Sequence, residues 1–465
     1  MPVPIIFATQ SGNSQFLSSL INHPYTYPID IALFPLSKLL HSPVLIFIVS
    51  THGDGDPPFS MRSFWNFIMY AGNPENLFAG VSFAIFGLGD SSYSSYNFCA
   101  RKLARRLEQL GASPLIPLTL GDAQHPRGYS TMFEPWVKDL CAALNTLNIS
   151  HVPKIEPEVS KPKYKAVLIK KCVRTPPSYT PIIIELTFQL KWGSFHPGDC
   201  IGITPENWNY REFMDYNEIG DENISLIKSK LDINFIPSQN IFKYLKGGEE
   251  LAIDYDLYYD YVIKAKRTFF EVIMDFHTKV DIEFLIKHVP LIRPRYYTMI
   301  KRDGFYSILV TIVEYNTYLK ASRIGLCTQY LKMLEIGASL DVEIVESVLR
   351  FETNNVLFVS TGVGVALPLA YLNFYKNKTV KIVYGFRYKG VDCLYEPGDP
   401  SNSVDISMAI SRENGEYVQH VLKRIWKDEY KEYTLILSGS YKLNKEIKLL
   451  LKELGVKMKI QSETW

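Results

Sequence analysis

Up to about residue 147 the chain alternates short apolar runs with segments whose apolar residues recur at helical spacing. The runs predict strands over 3–8, 29–34, 44–50, 81–87 and 114–119, and the periodic segments predict helices over 14–21, 59–70, 95–110 and 133–147. In the helix over 95–110, Phe98, Leu103, Leu107 and Leu110 fall on one face, and Gly111 supplies its stop. Strands alternating with helices in this way build a doubly wound parallel sheet, which holds ligands at the carboxyl ends of its strands. Residues 148–165 turn Pro-, Lys- and Glu-rich without apolar periodicity, as a linker does. From 166 to 350 the pattern predicts strands over 166–173, 181–189, 268–275, 295–301 and 306–313, suited to a small antiparallel β-barrel. A more helical, charged stretch over 206–290 reads as an insertion into it. From 351 to 465 alternation returns, with strands over 355–360, 379–385, 405–410 and 433–437 and helices over 366–376, 416–428 and 442–454. The expected fold is therefore multi-domain α/β.

A chain of 465 residues has room for these separate cores. Its net charge of +2 carries no polyanion signal, so nucleic acid is not an expected partner. The basic pairs Arg101-Lys102 and Arg105-Arg106 read as the wet face of a helix. No basic region followed by an apolar signal core opens the chain, and the uncharged stretch 356–372 is shorter than a membrane span of about 20 residues. The six cysteines are scattered, with no CxxC pair and no His at zinc spacing. The expectation is a reduced, cytoplasmic protein with no membrane anchor and no structural metal.

Three loops at predicted strand ends carry candidate chemistry. Thr9-Gln10-Ser11-Gly12-Asn13-Ser14 offers hydroxyls and an unhindered backbone at the mouth of a helix, where free amides and the helix dipole favour a phosphate. In Ser50-Thr51-His52-Gly53-Asp54-Gly55, the glycines let the backbone approach a planar ring. In Gly87-Leu88-Gly89-Asp90-Ser91-Ser92-Tyr93, continuing through Ser94, Ser95, Tyr96 and Asn97, the Tyr93 ring is free to stack on such a ring while Asn97 anchors the next helix. Singly, each loop also fits an ordinary capped turn. Together, at matching strand ends, they point to one flavin. Residues 1–147 resemble a flavodoxin-type FMN module, on Thr-Gln-Ser-Gly-Asn, Gly-Asp-Gly-Asp-Pro-Pro and Phe-Gly-Leu-Gly-Asp-Ser-Ser-Tyr. They depart from it at His52, where many relatives place Tyr or Thr, and at Ala123, where relatives often carry a second acid.

Downstream, Arg293-Pro294-Arg295-Tyr296-Tyr297-Thr298 is similar to the FAD signature of ferredoxin-reductase-type domains. The resemblance implies that Arg295 pairs with the pyrophosphate, Tyr297 stacks on the flavin, and Thr298 hydrogen-bonds ring or phosphate. Gly325-Leu326-Cys327-Thr328 resembles that family's second pyrophosphate loop, and Arg267, ahead of the strand predicted at 268–275, is a further candidate FAD contact. The loop Ser360-Thr361-Gly362-Val363-Gly364 stands where the family carries its nucleotide loop, with Ser360 and Thr361 replacing Gly and Pro and Leu369 in place of an Arg. Ser411-Arg412 with Tyr417-Val418-Gln419 is similar to the element that holds the 2′-phosphate of NADPH. Ser438, in Leu437-Ser438-Gly439-Ser440, matches the segment beside the nicotinamide. At the end, Glu463 and Trp465 match a tail in which the aromatic ring shields the flavin and the acid steadies the carboxamide or a proton.

An FMN module (1–147), an FAD barrel (166–350, insertion 206–290) and an NADP-binding domain (351–465) in this order resemble the diflavin reductases. The resemblance implies electron flow from NADPH to FAD to FMN to a one-electron acceptor, with the 148–165 linker letting the first module swing. Leu-Gly-Asp-Ser-Ser-Tyr and the ending Glu-Thr-Trp favour the branch serving cytosolic iron–sulfur cluster assembly, whose acceptor is the iron–sulfur protein anamorsin. Members of that branch are usually longer, so this chain reads as shortened, mainly within 206–290. The alternatives are a reductase for a haem monooxygenase or a sulfite-reductase-type partner, or a flavin-bearing interaction protein whose nucleotide site has decayed.

Overall fold

The computed structural model describes all residues except 1–2, 10–11, 22, 41, 53–54, 126, 148–162, 248–254, 319–321, 348, 350, 352–354, 397–401 and 465. The chain forms two compact units. One comprises Met1–Ser160, Asn209–Leu291 and Thr317–Ala321, and the other Lys161–Trp208, Ile292–Asn316 and Ser322–Trp465.

The first unit opens with strands β1 (Val3–Ala8), β2 (Thr26–Asp30), β3 (Val44–Ser50), β4 (Ser82–Gly89), β5 (Ser113–Pro114) and β6 (Thr119–Asp122). They pair in parallel in the order β2-β1-β3-β4-β5, with β6 also beside β4. Both faces of this sheet are covered, which is why β1 and β3 are almost wholly apolar rather than alternating. Ile6, Ala8, Leu45, Phe47 and Ile85 pack on one face with Phe64, Ile68, Leu103 and Leu107, from helices α3 (Arg62–Met69) and α4 (Phe98–Gln109). Ile5, Phe7, Ile46, Ile48 and Phe86 pack on the other with Phe16, Leu17, Trp136 and Leu140, from α1 (Asn13–Leu20) and α5 (Ser130–Thr146). One further turn, α2, spans Leu36–Leu39.

Three local expectations need correction here. The strand expected at 29–34 ends at Asp30, whose carboxylate accepts the Ala32 amide at 2.9 Å and turns the chain. The strand expected at 114–119 splits in two around Pro114 and Pro117, which cannot donate to a ladder. Phe98, expected on the buried face of α4, is 41% exposed, while Gly111 at φ +90° stops that helix as anticipated.

The inserted helices belong to this same unit: α6 (Tyr210–Asn217), α7 (Ile224–Ser229), α8 (Gln239–Gly247), α9 (Tyr255–Tyr258), which runs into a π-helical turn at Tyr259–Lys264, α10 (Phe269–Asp275) and α11 (Ile282–His288). Their core is largely aromatic, with Phe213, Phe242, Phe269 and Phe270 buried together. The segment 268–275, expected as a strand, is helical. Thr268 Oγ1 accepts the Glu271 amide at 3.3 Å, and Glu271 accepts the Thr268 amide at 2.8 Å. This reciprocal cap at Thr268-Phe-Phe-Glu271 selects helix over strand for an otherwise ambiguous apolar run.

In the second unit, β7 (Lys163–Val173), β8 (Ile183–Leu190), β9 (Cys200–Ile203), β10 (Arg295–Thr298), β11 (Ile300–Arg302), β12 (Phe305–Thr311) and β15 (Ser339–Val345) form an antiparallel sheet ordered β10-β9-β15-β7-β8-β12-β11. The hairpin β13 (Glu314–Asn316) and β14 (Ser322–Ile324) leads into α12 (Leu326–Met333). The rest is a parallel sheet of β16 (Asn355–Thr361), β17 (Thr379–Phe386), β18 (Ser403–Ile410), β19 (Thr434–Gly439) and β20 (Ile460–Thr464), ordered β18-β17-β16-β19-β20. Helices α13 (Ala366–Phe374), α14 (Val418–Ile425) and α15 (Tyr441–Glu453) accompany it. Among the described residues, no helix is long and apolar enough to cross a membrane, and no cluster of His, Cys, Asp or Glu is placed to hold a metal. Replacing Thr268 with Ala removes the α10 cap and lowers stability by about 1 kcal/mol in urea unfolding. An unchanged midpoint would show that the cap does not hold this helix.

Candidate functional site

In the first unit the pairing β1-β3-β4 sets the three candidate loops side by side at one sheet edge. Thr9 is buried and its Oγ1 accepts the Gly12 amide at 2.8 Å. Gly12 takes φ +89°, a left-handed conformation that glycine adopts without strain, and Asn13 then starts α1. Ser14 is fully buried and its Oγ has no partner. An orphaned hydroxyl at a helix mouth fits a phosphate oxygen. Gln10, Ser11 and Gly53, also candidates, lie outside the described residues.

The remaining candidates of this edge divide between structural ties and open positions. Ser50 Oγ donates to the Ala8 carbonyl at 3.3 Å, and Thr51 Oγ1 accepts the Cys99 amide at 3.3 Å. His52 is exposed, its amide donating to the Asp56 carbonyl at 2.9 Å. Leu88 is buried, and at Gly89 a Cβ would meet the Asn97 main-chain nitrogen at 2.8 Å, so this glycine serves packing. Asp90 Oδ1 gathers the Ser92 amide and hydroxyl at 2.9 and 2.6 Å and the Gln124 side-chain amide at 2.8 Å. Asp122 Oδ1 accepts the Ser91 and Gln124 amides, both at 3.0 Å. The β6 end thus supplies a fourth loop, missed as a site in sequence. Its signal was Gly121-Asp122 following a predicted strand. Tyr93 is 63% exposed, and Ser94 and Ser95 lie in the turns after it. Tyr96 OH donates to the Leu120 carbonyl at 3.4 Å. Asn97, at φ +53°, donates to the Gly121 carbonyl at 2.9 Å while its buried Oδ1 has no partner.

In the second unit the two segments read as an FAD signature meet: Tyr297 OH donates to Cys327 Sγ at 3.3 Å. Gly325 caps α12, Leu326 begins it, and Thr328 Oγ1 returns to the Gly325 carbonyl at 3.0 Å. Arg295 is exposed, its guanidinium donating to the Arg293 carbonyl, and Tyr296 OH donates to Glu343 at 3.1 Å. Arg267 sits in the helical insertion of the first unit, paired with Asp275 and 4.3 Å over the Tyr261 ring. With the neighbouring strand absent, that candidate loses its premise.

The same unit contains a denser constellation. Register pairs Ser360 with Ser438 across β16 and β19, and Ser438 with Glu463 across β19 and β20. Ser360 Oγ, Ser438 Oγ and Glu463 Oε2 are each buried without a partner. Glu463 Oε1 accepts Thr298 Oγ1 at 2.8 Å and the Cys200 thiol at 3.4 Å, Thr298 and Cys200 being paired across β10 and β9. Burial raises the Glu463 carboxyl to about 7, and the Thr298 and Cys200 hydrogen bonds pull against that rise. Burial likewise pushes the Cys200 thiol well up, with the adjacent Glu463 charge adding to the rise. Gly364 closes the floor of the row, since a Cβ there would meet the Ser438 carbonyl at 2.4 Å. Trp465 lies outside the described residues.

Beside this row, a cleft of about 520 Å³ is lined by Thr361, Gly362, Val363, Ser411, Tyr417 and Gln419, with Arg387 and Lys442 also at its wall. Gly362 has φ +53°, and Ser411 Oγ donates to the Phe386 carbonyl at 3.2 Å. Arg412 is exposed beyond the lining. Arg387 was missed in sequence, although it stands two residues past the strand expected at 379–385; Cys200 had no periodic signal at all. Orphaned hydroxyls beside a cleft with a cation fit the nicotinamide and phosphate ends of a dinucleotide.

Residues 5–136 match the flavodoxin family model. Curated relatives named NADPH-dependent diflavin oxidoreductase 1 align over most of the chain. The Cryptococcus neoformans protein is 24% identical, covering 94% of this chain and 92% of its own length. The Schizosaccharomyces pombe protein is 25% identical, over 90% and 87%. The Bos taurus protein is 28% identical, over 71% and 70%. These matches fit the diflavin reductase family. With these relatives the chain is an oxidoreductase, and the parallel, antiparallel and parallel sheets follow the expected multi-domain α/β order.

The raised Glu463 carboxyl makes a stability prediction with a definite sign. Between the unfolded value near ~4.3 and about 7, the folded state keeps a proton that the unfolded chain has lost. Stability therefore falls as pH rises through that window, by on the order of 3 kcal/mol in all. Glu463→Gln removes this penalty, so the variant's melting temperature gains on the wild type between pH 5 and pH 8. A constant gap would contradict the raised carboxyl.

Proposed function

We propose that the chain takes hydride from NADPH and delivers electrons singly to an acceptor protein, using FAD and FMN in series. When bound, FAD supplies a hydride acceptor and FMN a one-electron donor. The chain's part is to bind, orient and shield. Thr9, Gly12 and Ser14 hold the FMN phosphate, with Gln10 and Ser11 joining them by family resemblance, and Tyr93 flanks the ring. Arg295 and the α12 mouth hold the FAD diphosphate, and Tyr297 packs against its ring. Ser411, Arg412 and Arg387 take the 2′-phosphate of NADPH, since guanidinium donors suit a dianion. Ser438 and Ser360 present unpaired hydroxyls to the nicotinamide, and Glu463 holds or releases a proton at Oε2 near neutral pH. By family resemblance, Trp465 would shield the flavin.

What supports the reading most is the row Ser360, Ser438 and Glu463, three buried polar groups with atoms left unpaired on adjacent strand ends. Such groups cost stability unless a ligand completes them. We assign residues 1–147 to FMN, 166–350 to FAD and 351–465 to NADP. We place the protein in the cytoplasm, with an iron–sulfur protein, anamorsin, as the acceptor in cytosolic iron–sulfur cluster assembly.

Anaerobic mixing of the holoprotein with NADPH tests this: the flavin absorbance bleaches within seconds. Unchanged spectra with both flavins bound would favour an interaction protein with a decayed nucleotide site. Replacing Arg387 or Arg412 with Ala lowers kcat/KM for NADPH about tenfold or more, with NADH changed by less than about twofold. Equal losses with both nucleotides would remove that arginine from the 2′-phosphate.

A further inference from the structure

The basic pairs on α4 do not behave as one wet face. Arg106 is committed to structure, its Nε and Nη2 donating to the Ile68 and Tyr70 carbonyls at 2.8 and 2.9 Å. Arg101, Lys102 and Arg105 are exposed, and no carboxylate among the described residues pairs with them. They rise from the first turns of the helix that leaves the Tyr93–Asn97 loop. Arg101 lies 5.7 Å from the Tyr96 ring centroid and Lys102 4.5 Å from that of Phe98. Across the neighbouring loop Arg62 stands 5.0 Å over Phe59. Phe59 and Phe98 are 47% and 41% exposed. Two nearby acids are engaged locally, Asp90 Oδ1 accepting the Ser92 amide and Asp122 Oδ1 the Ser91 and Gln124 amides. The chain as a whole has 50 cations against 48 anions, so this concentration is local.

We infer that this cation–aromatic collar is the docking surface for an acceptor protein with an acidic contact face. The inference rests on the proposed one-electron delivery and names the chemistry of its recipient. Exposed aromatics beside arginine are the composition of a protein-binding centre, and complementary charge steers encounter. A membrane is disfavoured because the apolar face of α4, Leu103 and Leu107, is already spent in the core. Nucleic acid is disfavoured because the basic stripe is too short to track a backbone.

The test uses the full holoprotein, its R101E/K102E/R105E variant, and two haem proteins as probes: acidic cytochrome b5 and basic cytochrome c. At low ionic strength the variant loses at least tenfold in kcat/KM for cytochrome b5, keeps or gains activity toward cytochrome c, and loses the salt dependence of the former. Anaerobic flavin reduction by NADPH stays unchanged. Equal losses with both probes, or none with cytochrome b5, would overturn the assignment. So would charge-dependent sedimentation with phosphatidylcholine vesicles containing 20% phosphatidylserine while cytochrome b5 turnover stays intact. Titration calorimetry of oxidised cytochrome b5 reads docking without electron flow. Failure of NADPH to reduce the flavins would therefore sink the proposed function alone, and loss of the calorimetric signal in the variant would still support the collar.

Discussion

Neighbouring strands of a parallel sheet end at the same edge, so loops distant in sequence become neighbours without any contact designed between them. In the first unit this brings the β1, β3 and β4 loops together, and in the second it lines up Ser360, Ser438 and Glu463. The sheets stay registered because their interiors leave no slack: β3 and β16 are buried on both faces, so a slip would disrupt the packing on both. Core packing, rather than the site residues themselves, holds the edges in line.

Against that apolar background the unpaired polar atoms stand out. Ser14 Oγ, Ser360 Oγ, Ser438 Oγ and Glu463 Oε2 are buried without a hydrogen-bond partner, each at a strand or helix end where a ligand is expected to enter. Natural folds pair nearly all such atoms. The Thr298–Glu463–Cys200 cluster shows the antiparallel sheet contributing to the same place, since β9 and β10 bring a hydroxyl and a thiol to one carboxyl. Electrostatics there follows from burial, which keeps a carboxyl near neutrality without a neighbouring anion.

Much of this was legible in the residues because strong periodicity and strand-end glycines are local signals. The β3 and β4 boundaries fall within two residues of expectation, and the Tyr297 and Cys327 segments, read separately, meet in space. What was not legible is non-local or ambiguous. Phe269–Asp275 is apolar enough for either element, and only the Thr268–Glu271 cap, overlooked in the pattern, decides for helix. Cys200 acquires a role through cross-strand register with Thr298, which no spacing announces. The strand Ile460–Thr464 is short and partly polar, yet pairing with β19 orders it and carries Glu463 into place. The linker 148–165 and Trp465 fall largely or wholly outside the described residues.

The central claim is that two different flavins serve one chain, FMN at the first parallel edge and FAD on the antiparallel sheet. Acid release of the chromophores from purified holoprotein, resolved by chromatography, tests it most directly. The account predicts FMN and FAD in equal amounts, close to one of each per chain. FAD without FMN, or neither flavin, would contradict it.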